Sequence, residues 1–162
     1  MSSKFSIKSD VLSPTASKTI EYTGNHPAQI FKMIPELIQD IFGIGTSKIW
    51  EDEIRWDTTG DPVSFYGKWR AKDSKDKFST YWVEIEVTGQ QNRERKGNVK
   101  VKIKGNVTTE LSYDIAFMKL LFEMYRYSFY EKQRKTYIDE VARGLNNFED
   151  AIRVHFDMLR RI

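Results

Sequence analysis

A chain of 162 residues, 40% hydrophobic and 30% charged, is sized for one domain (residues 1–162) with a full core and is short for two. The absence of cysteine excludes disulfides, zinc–thiolate sites, iron–sulfur clusters and thiol catalysis, and fits a reducing, cytoplasmic setting. The formal net charge of +3 is unevenly spread: residues 66–104 carry 11 basic and 5 acidic groups, against 6 and 9 over residues 1–65.

Residues 1–15 are polar and read as a loose end, or as one holding a short strand at Phe5–Lys8. The opening MSSKFSIKSD lacks the apolar stretch of a secretory signal, and no later run reaches the length of a transmembrane helix. SKTIEYTG (17–24) reads as a strand with Ile20 and Tyr22 on one side. In NHPAQIFKMIPELIQDIFGIG, Asn25 is a helix cap and Pro27 suits a first turn. Ile30, Ile34, Leu37 and Ile41 form an apolar stripe, with Phe31 and Ile38 beside it. Pro35 has no amide hydrogen, so it predicts two short helices or one kinked helix, ended by Gly43 and Gly45.

Four strand-like runs follow, joined by turn-rich TTGDP, KDSKD and GQQNRERKG. In KIWEDEIRWD (48–57), period-two alternation puts Trp50, Asp52, Ile54 and Trp56 on one face. A carboxylate among tryptophans needs a partner, and a β-bulge would instead turn Asp52 to solvent. PVSFYGKWRA (62–71) places Val63, Phe65, Gly67, Trp69 and Ala71 together, and KFSTYWVEIEV (77–87) does so for Tyr81, Val83, Ile85 and Val87. NVKVKIKGNV (98–107) sets Val99, Val101, Ile103 and Gly105 opposite Lys100, Lys102 and Lys104. Hairpin connections predict an antiparallel sheet with one covered face, and a wet face where Glu84 and Glu86 meet the lysines.

From Ser112 the pattern is helical to the end. FMKLLFEMYRYSFYEKQRKTY (117–137) holds four of the eight tyrosines. Its rings sit among aliphatic residues and methionines, and its basic residues come mostly after them, so the rings are expected to face the sheet rather than a nucleic acid. Ile138, Val141, Leu145, Phe148, Ile152, His155, Leu159 and Ile162 extend the seam, with Gly144 and Asn146–Asn147 as places where the helix could divide.

A strand, a proline-split helix pair, a curved antiparallel sheet and a long C-terminal helix resemble the START-like helix-grip superfamily of polyketide cyclases and lipid-transfer domains. The residues carrying the likeness are SKTIEYTGNHPAQIFKMIPELI and the helix from Ser112. The resemblance covers most of the chain as an order of elements, not as a motif. It departs in showing four strands after the helix pair where six are usual, so that either two are missing or long strands count twice. Its C-terminal region, with an extended helix over 131–162, is also longer than usual. It implies an α+β fold whose sheet grips the C-terminal helix.

No catalytic signature stands out. His26 and His155 lie far apart and make no metal set, GIGTSK (43–48) follows a helix instead of opening one, and EDE (51–53) splits its carboxylates between two faces. The expected function is therefore non-enzymatic binding of a hydrophobic or lipid-like small molecule between sheet and C-terminal helix, without cofactor or metal. Trp50, Ile54, Trp56, Phe65 and Trp69 would line the cavity from the sheet, Phe122, Tyr125 and Phe129 from the helix, and Asp52 would be the polar anchor. One alternative is a protein partner or self-association through the seam Ile138–Ile162. Another is an anion surface for nucleic acid or acidic lipid, built from Lys68, Arg70, Lys100, Lys102 and Lys104, with nucleic acid the disfavoured partner.

Overall fold

The computed structural model describes residues 3–113, 116–125 and 130–162, and of these the side chains other than those of residues 3, 5, 112, 113, 116–118, 122 and 125. The elements run β1 (Ser3–Asp10), β2 (Lys18–Asn25), α1 (Ile30–Phe42), β3 (Ile49–Asp57), β4 (Val63–Ser74), β5 (Ser79–Gln91), β6 (Lys96–Tyr113), α2 (Ala116–Tyr125) and α3 (Glu131–Arg160). The fold is α+β, with the strands forming one open antiparallel sheet in the order β1–β6–β5–β4–β3 and β2 also pairing with β6.

The 18-residue β6 pairs with two strands in succession. Its first part pairs with β2, from Lys96 opposite Asn25 to Ile103 opposite Lys18. Its second part pairs with β1, from Asn106 opposite Asp10 to Tyr113 opposite Ser3. β1 and β2 thus lie end to end along one long strand. The strand expected to stop at 107 runs on to Tyr113 because β1, read as a loose end or a four-residue strand, supplies eight residues of ladder.

Alternation decides which side of the sheet is covered. Phe65, Trp69 and Ala71 of β4, Val83, Ile85 and Val87 of β5, and Val99, Val101 and Ile103 of β6 are all buried on one face. Ile20 and Tyr22 of β2 join them. α3 lies across this face on β6 and β2 and also packs on α1. Its seam of Val141, Leu145, Phe148, Ile152, Phe156 and Leu159 is buried there, with Tyr22 and Phe156 stacked at 4.7 Å. Over Val141–Leu159 the seam offered as an alternative partner surface is thus covered by this chain's own sheet, while Ile162 at its end is exposed. The helix does not divide at Gly144: a Cβ there would stand 2.5 Å from Phe42 Cε1, so the glycine allows α1 and α3 to approach closely.

Pro35 does not split α1 either. Only the bond to the carbonyl four residues back is forgone, while Ile30, Ile34 and Ile38 are all fully buried by keeping the helix whole. Asn25 is no cap: it ends β2, and its carbonyl accepts the Tyr22 hydroxyl at 2.9 Å. The chain turns into α1 through a short 3₁₀ segment at Pro27–Gln29, whose N-cap residue is His26 in the left-handed region. Gly43, at φ 64°, closes α1 as expected.

The start of α3 is held by polar contacts. Arg134 is buried, and its guanidinium donates to the Thr109 hydroxyl at 3.1 Å and the Ser9 hydroxyl at 2.7 Å. Thr109 lies 2.7 Å from the Ser79 hydroxyl, Ser79 lies 2.6 Å from the Tyr130 hydroxyl, and Tyr130 donates to Asp76 at 2.9 Å. If each hydroxyl donates towards Asp76, every one both gives and receives, and the chain is polarised from a cation to a carboxylate. Burial and the neighbouring Asp76 charge raise the Tyr130 pKa to about 12, which keeps the phenol a donor.

Candidate functional site

β3 is the exposed edge of the sheet, and its register departs from strict alternation. Ile49 faces Ala71, Trp50 faces Arg70 and Glu51 faces Trp69, but the next pair is Glu53 with Lys68. Asp52 is the extra residue of a β-bulge, and the faces on either side of it exchange. The expectation that Trp50, Asp52, Ile54 and Trp56 share a face is therefore corrected. Trp50 and Asp52 lie on the solvent side: Asp52 is ion-paired with Arg70, and Trp50 stacks on Trp82 with ring centroids 6.1 Å apart. The carboxylate placed among tryptophans by alternation is an exposed partner of an arginine instead.

Ile54, opposite Gly67, and Trp56, opposite Phe65, remain on the helix side. They are 40% and 48% exposed. Trp56 is continuous with a ring cluster centred on Phe31 of α1. Phe31 lies 5.0 Å from Trp56, 5.3 Å from Phe65 and 5.2 Å from Trp69, the last two edge-on. Gly67 makes room for this cluster, since a Cβ there would come within 2.8 Å of Phe31 Cε1 and 2.5 Å of Trp69 Cη2. The Trp69 indole nitrogen is buried without an acceptor among the described residues.

Beside Trp56 is a hollow of about 350 Å³ lined by Gly60, Asp61, Val63, Gln91, Asn92 and Arg93. Gln91 is fixed there by accepting the Ala28 amide at 3.2 Å. The Arg93 amide donates to Asp61 at 3.1 Å, while its guanidinium reaches into solvent and approaches the same carboxylate only to 3.9 Å. The β3–β4 turn below is braced by Asp57, whose carboxylate accepts the Thr59 hydroxyl at 2.6 Å and the Thr59 amide at 3.0 Å. These two bonds hold its pKa below the ordinary carboxylate value.

Of the nine site residues expected, the structure packs Trp56, Phe65 and Trp69 around Phe31, keeps Ile54 on the same face, and sends Trp50 and Asp52 to the opposite face. Phe122 and Tyr125 belong to α2 but their side chains are outside what the structure describes, and Phe129 falls outside the described residues. Phe31 is visible in the sequence as a ring beside the α1 stripe, but nothing in its spacing marks it as the hub. Neighbouring Leu120, Leu121 and Met124 of α2 are exposed. No described helix is long and apolar enough to cross a membrane.

No family model matches the chain, and no curated protein matches it. Among solved structures, a Staphylococcus aureus protein of unknown function, SA2116, is similar at 11% identity over 98% of each chain, with a TM-score of 0.33. At that level the likeness carries no argument about this chain.

Proposed function

We propose that this protein binds a hydrophobic, ring-bearing or lipid-like small molecule on the helix side of the sheet, at the uncovered edge formed by β3. The observation that carries the reading is Trp56, a ring half-exposed on the face where every neighbouring strand is covered, beside a hollow with a few polar groups. Small-molecule sites combine an apolar wall with a small number of orienting polar groups, and about 300–1,000 Å³ is their usual size. Ile54, Trp56, Val63 and Phe31 would be the wall. Gln91, Asn92 and the solvent-reaching head of Arg93 would meet a carbonyl or acid on the ligand. A START-like grip fits this reading, with the ligand placed nearer α1 than the C-terminal helix.

Covering the exposed half of Trp56 removes roughly 100 Å² of apolar surface from water, about 2.5 kcal/mol at ~25 cal/mol/Å². Trp56→Ala should then weaken binding by roughly fifty-fold, while Trp50→Ala, on the other face, should leave it unchanged. The test is native mass spectrometry of protein from a lipid-rich host, followed by titration of the identified molecule, or of 1-aminoanthracene, into both variants. No captured mass and no saturable probe binding, or equal binding by the two variants, would remove the proposal.

A further inference from the structure

The solvent face of the sheet carries a second arrangement, independent of the one above. Trp82 of β5 stands at its centre, between two shallow hollows of about 290 and 280 Å³ that it shares with Thr108. Lys8, Arg70 and Lys104 edge the first, and Lys4, Lys72 and Lys77 the second. Six cations thus surround one ring, against three carboxylates, Asp10, Glu84 and Glu110, in the same linings. Among the described residues, Lys4, Lys8, Lys72 and Lys77 enter no ion pair, whereas Arg70 is tied to Asp52 and Lys104 to Glu84.

The ring is held ready for a flat partner. Lys72 Nζ lies 4.9 Å and the Arg70 guanidinium 5.7 Å from its centroid, and Trp50 stacks beside it. Farther along the same face of β4, the Arg55 guanidinium covers the Tyr66 ring at 4.5 Å. Lys72, opposite Trp82, and Tyr66 are six residues apart on β4, roughly 20 Å at the rise of a strand. Between them on this face lie Arg70 and Lys68.

We propose that this face is a binding surface for single-stranded nucleic acid. Bases would stack on Trp82 and Tyr66, displacing the cations that now cover those rings towards the phosphates. The combination of rings and cations on one exposed surface is what sequence-tolerant single-strand binders use. The interleaved carboxylates argue against a membrane. A uniformly anionic surface would be repelled by Asp10, Glu84 and Glu110, whereas a nucleic acid offers them amino groups of cytosine or adenine as donors. Asn106 and Thr108, on the same linings, add neutral polar contacts.

The test is fluorescence anisotropy of the full chain with a labelled single-stranded 12-mer of mixed sequence, as RNA and as DNA, at 50 and 200 mM salt. Heparin and phosphatidylserine vesicles are the competitors. Saturable binding that weakens steeply with salt is expected. Trp82→Ala should reduce it about five- to a hundredfold, the usual loss for one base stack, and the pair Lys8→Ala with Lys72→Ala should weaken it and flatten its salt dependence. The lysine pair tests the surface with the Trp82 side chain left in place, so a poorly folded Trp82→Ala protein would not prevent a decision. Trp56→Ala should bind the oligonucleotide as the parent does. Absence of saturable binding at 50 mM salt would overturn the proposal. So would equal affinity for heparin or vesicles with no effect of Trp82→Ala, which is attraction to any polyanion.

Discussion

Replacing Asp76 probes the contacts that seat the N-terminal end of α3. Its carboxylate accepts the Phe78 and Ser79 amides at 2.7 and 2.8 Å, and the Tyr130 and Tyr137 hydroxyls, each at 2.9 Å. A hydrogen bond to a charged group contributes about 1.5–3 kcal/mol. The two amides sit in a turn that water can reach, so most of the loss in Asp76→Ala comes from the two phenols. That is about 3–6 kcal/mol, or roughly 6–24 °C in Tm for a chain of this size. Asp76→Asn keeps one acceptor oxygen but turns an NH₂ towards a donor, and should lose about half as much. The pH dependence separates charge from shape. Burial pushes the Asp76 pKa up, but the amides of Phe78 and Ser79 and then the two phenols outweigh it and leave the pKa below the ordinary value. A depressed native pKa means the contribution is fully present above the unfolded value, about pH 4, and is lost as pH falls through the folded one. The amide of the Asp76→Asn variant cannot titrate, so the gap between parent and variant should be full at pH 7 and narrow below pH 4. Urea unfolding followed by tryptophan fluorescence at pH 7, 5 and 3.5 measures it. A gap that stays constant across that range, or an Asp76→Ala protein melting within 2 °C of the parent, would refute the reasoning.

Gly67→Ala should destabilise the fold by about 1–3 kcal/mol, since the new methyl meets two rings, those of Trp69 and Phe31, that are packed against each other; a lowered denaturation midpoint with an unchanged slope would show it. Asp52→Ala should change stability by less than about 1 kcal/mol, because the pair with Arg70 is exposed. Deleting Asp52 should be much worse, because removing the bulge forces Trp50 or Trp56 onto the wrong face; thermal melts of the two variants side by side decide it.

The sheet is legible in the sequence because alternation is a strong signal wherever one face is buried and the other wet. β4, β5 and β6 each place the expected residues inward, and of the β6 lysines Lys104 finds the expected Glu84 at 3.2 Å while Lys100 pairs instead with Glu21 of β2. The misreadings lie where a local preference competes with packing. Pro35 and Gly144 are both helix-breaking residues on paper, yet each sits inside a helix whose apolar stripe continues on both sides. Burying that stripe against the sheet outweighs one missing hydrogen bond or one flexible residue. The length of β1 escapes a local reading because residues 3–10 carry little apolar signal of their own. Their order comes from eight ladder pairs with the far end of β6, and no local pattern announces a long-range pairing.

The candidate sites show why faces are harder to read than strands. A bulge adds one residue without changing composition, so the run containing Trp50 and Trp56 looks like one ring-lined face when it is two. Nothing in EDE distinguishes a bulged Asp52 from a regular one. The structural consequence is large: one tryptophan joins Phe31, Phe65 and Trp69 on the helix side, and the other joins Trp82 and Arg70 on the solvent side. The basic middle third of the chain then takes on a different meaning. Its lysines read as a solvated ladder while the rings are assigned to the opposite face, but with the exposed Trp50 and the half-buried Trp82 beside them they become cations placed around rings on the solvent face. The two proposed sites therefore lie on opposite faces of one sheet, the first at its β3 edge and the second centred on Trp82 of β5. Trp56→Ala and Trp82→Ala should each weaken one kind of binding and spare the other, and a single variant that weakens both would point to loss of the sheet itself and not to either site.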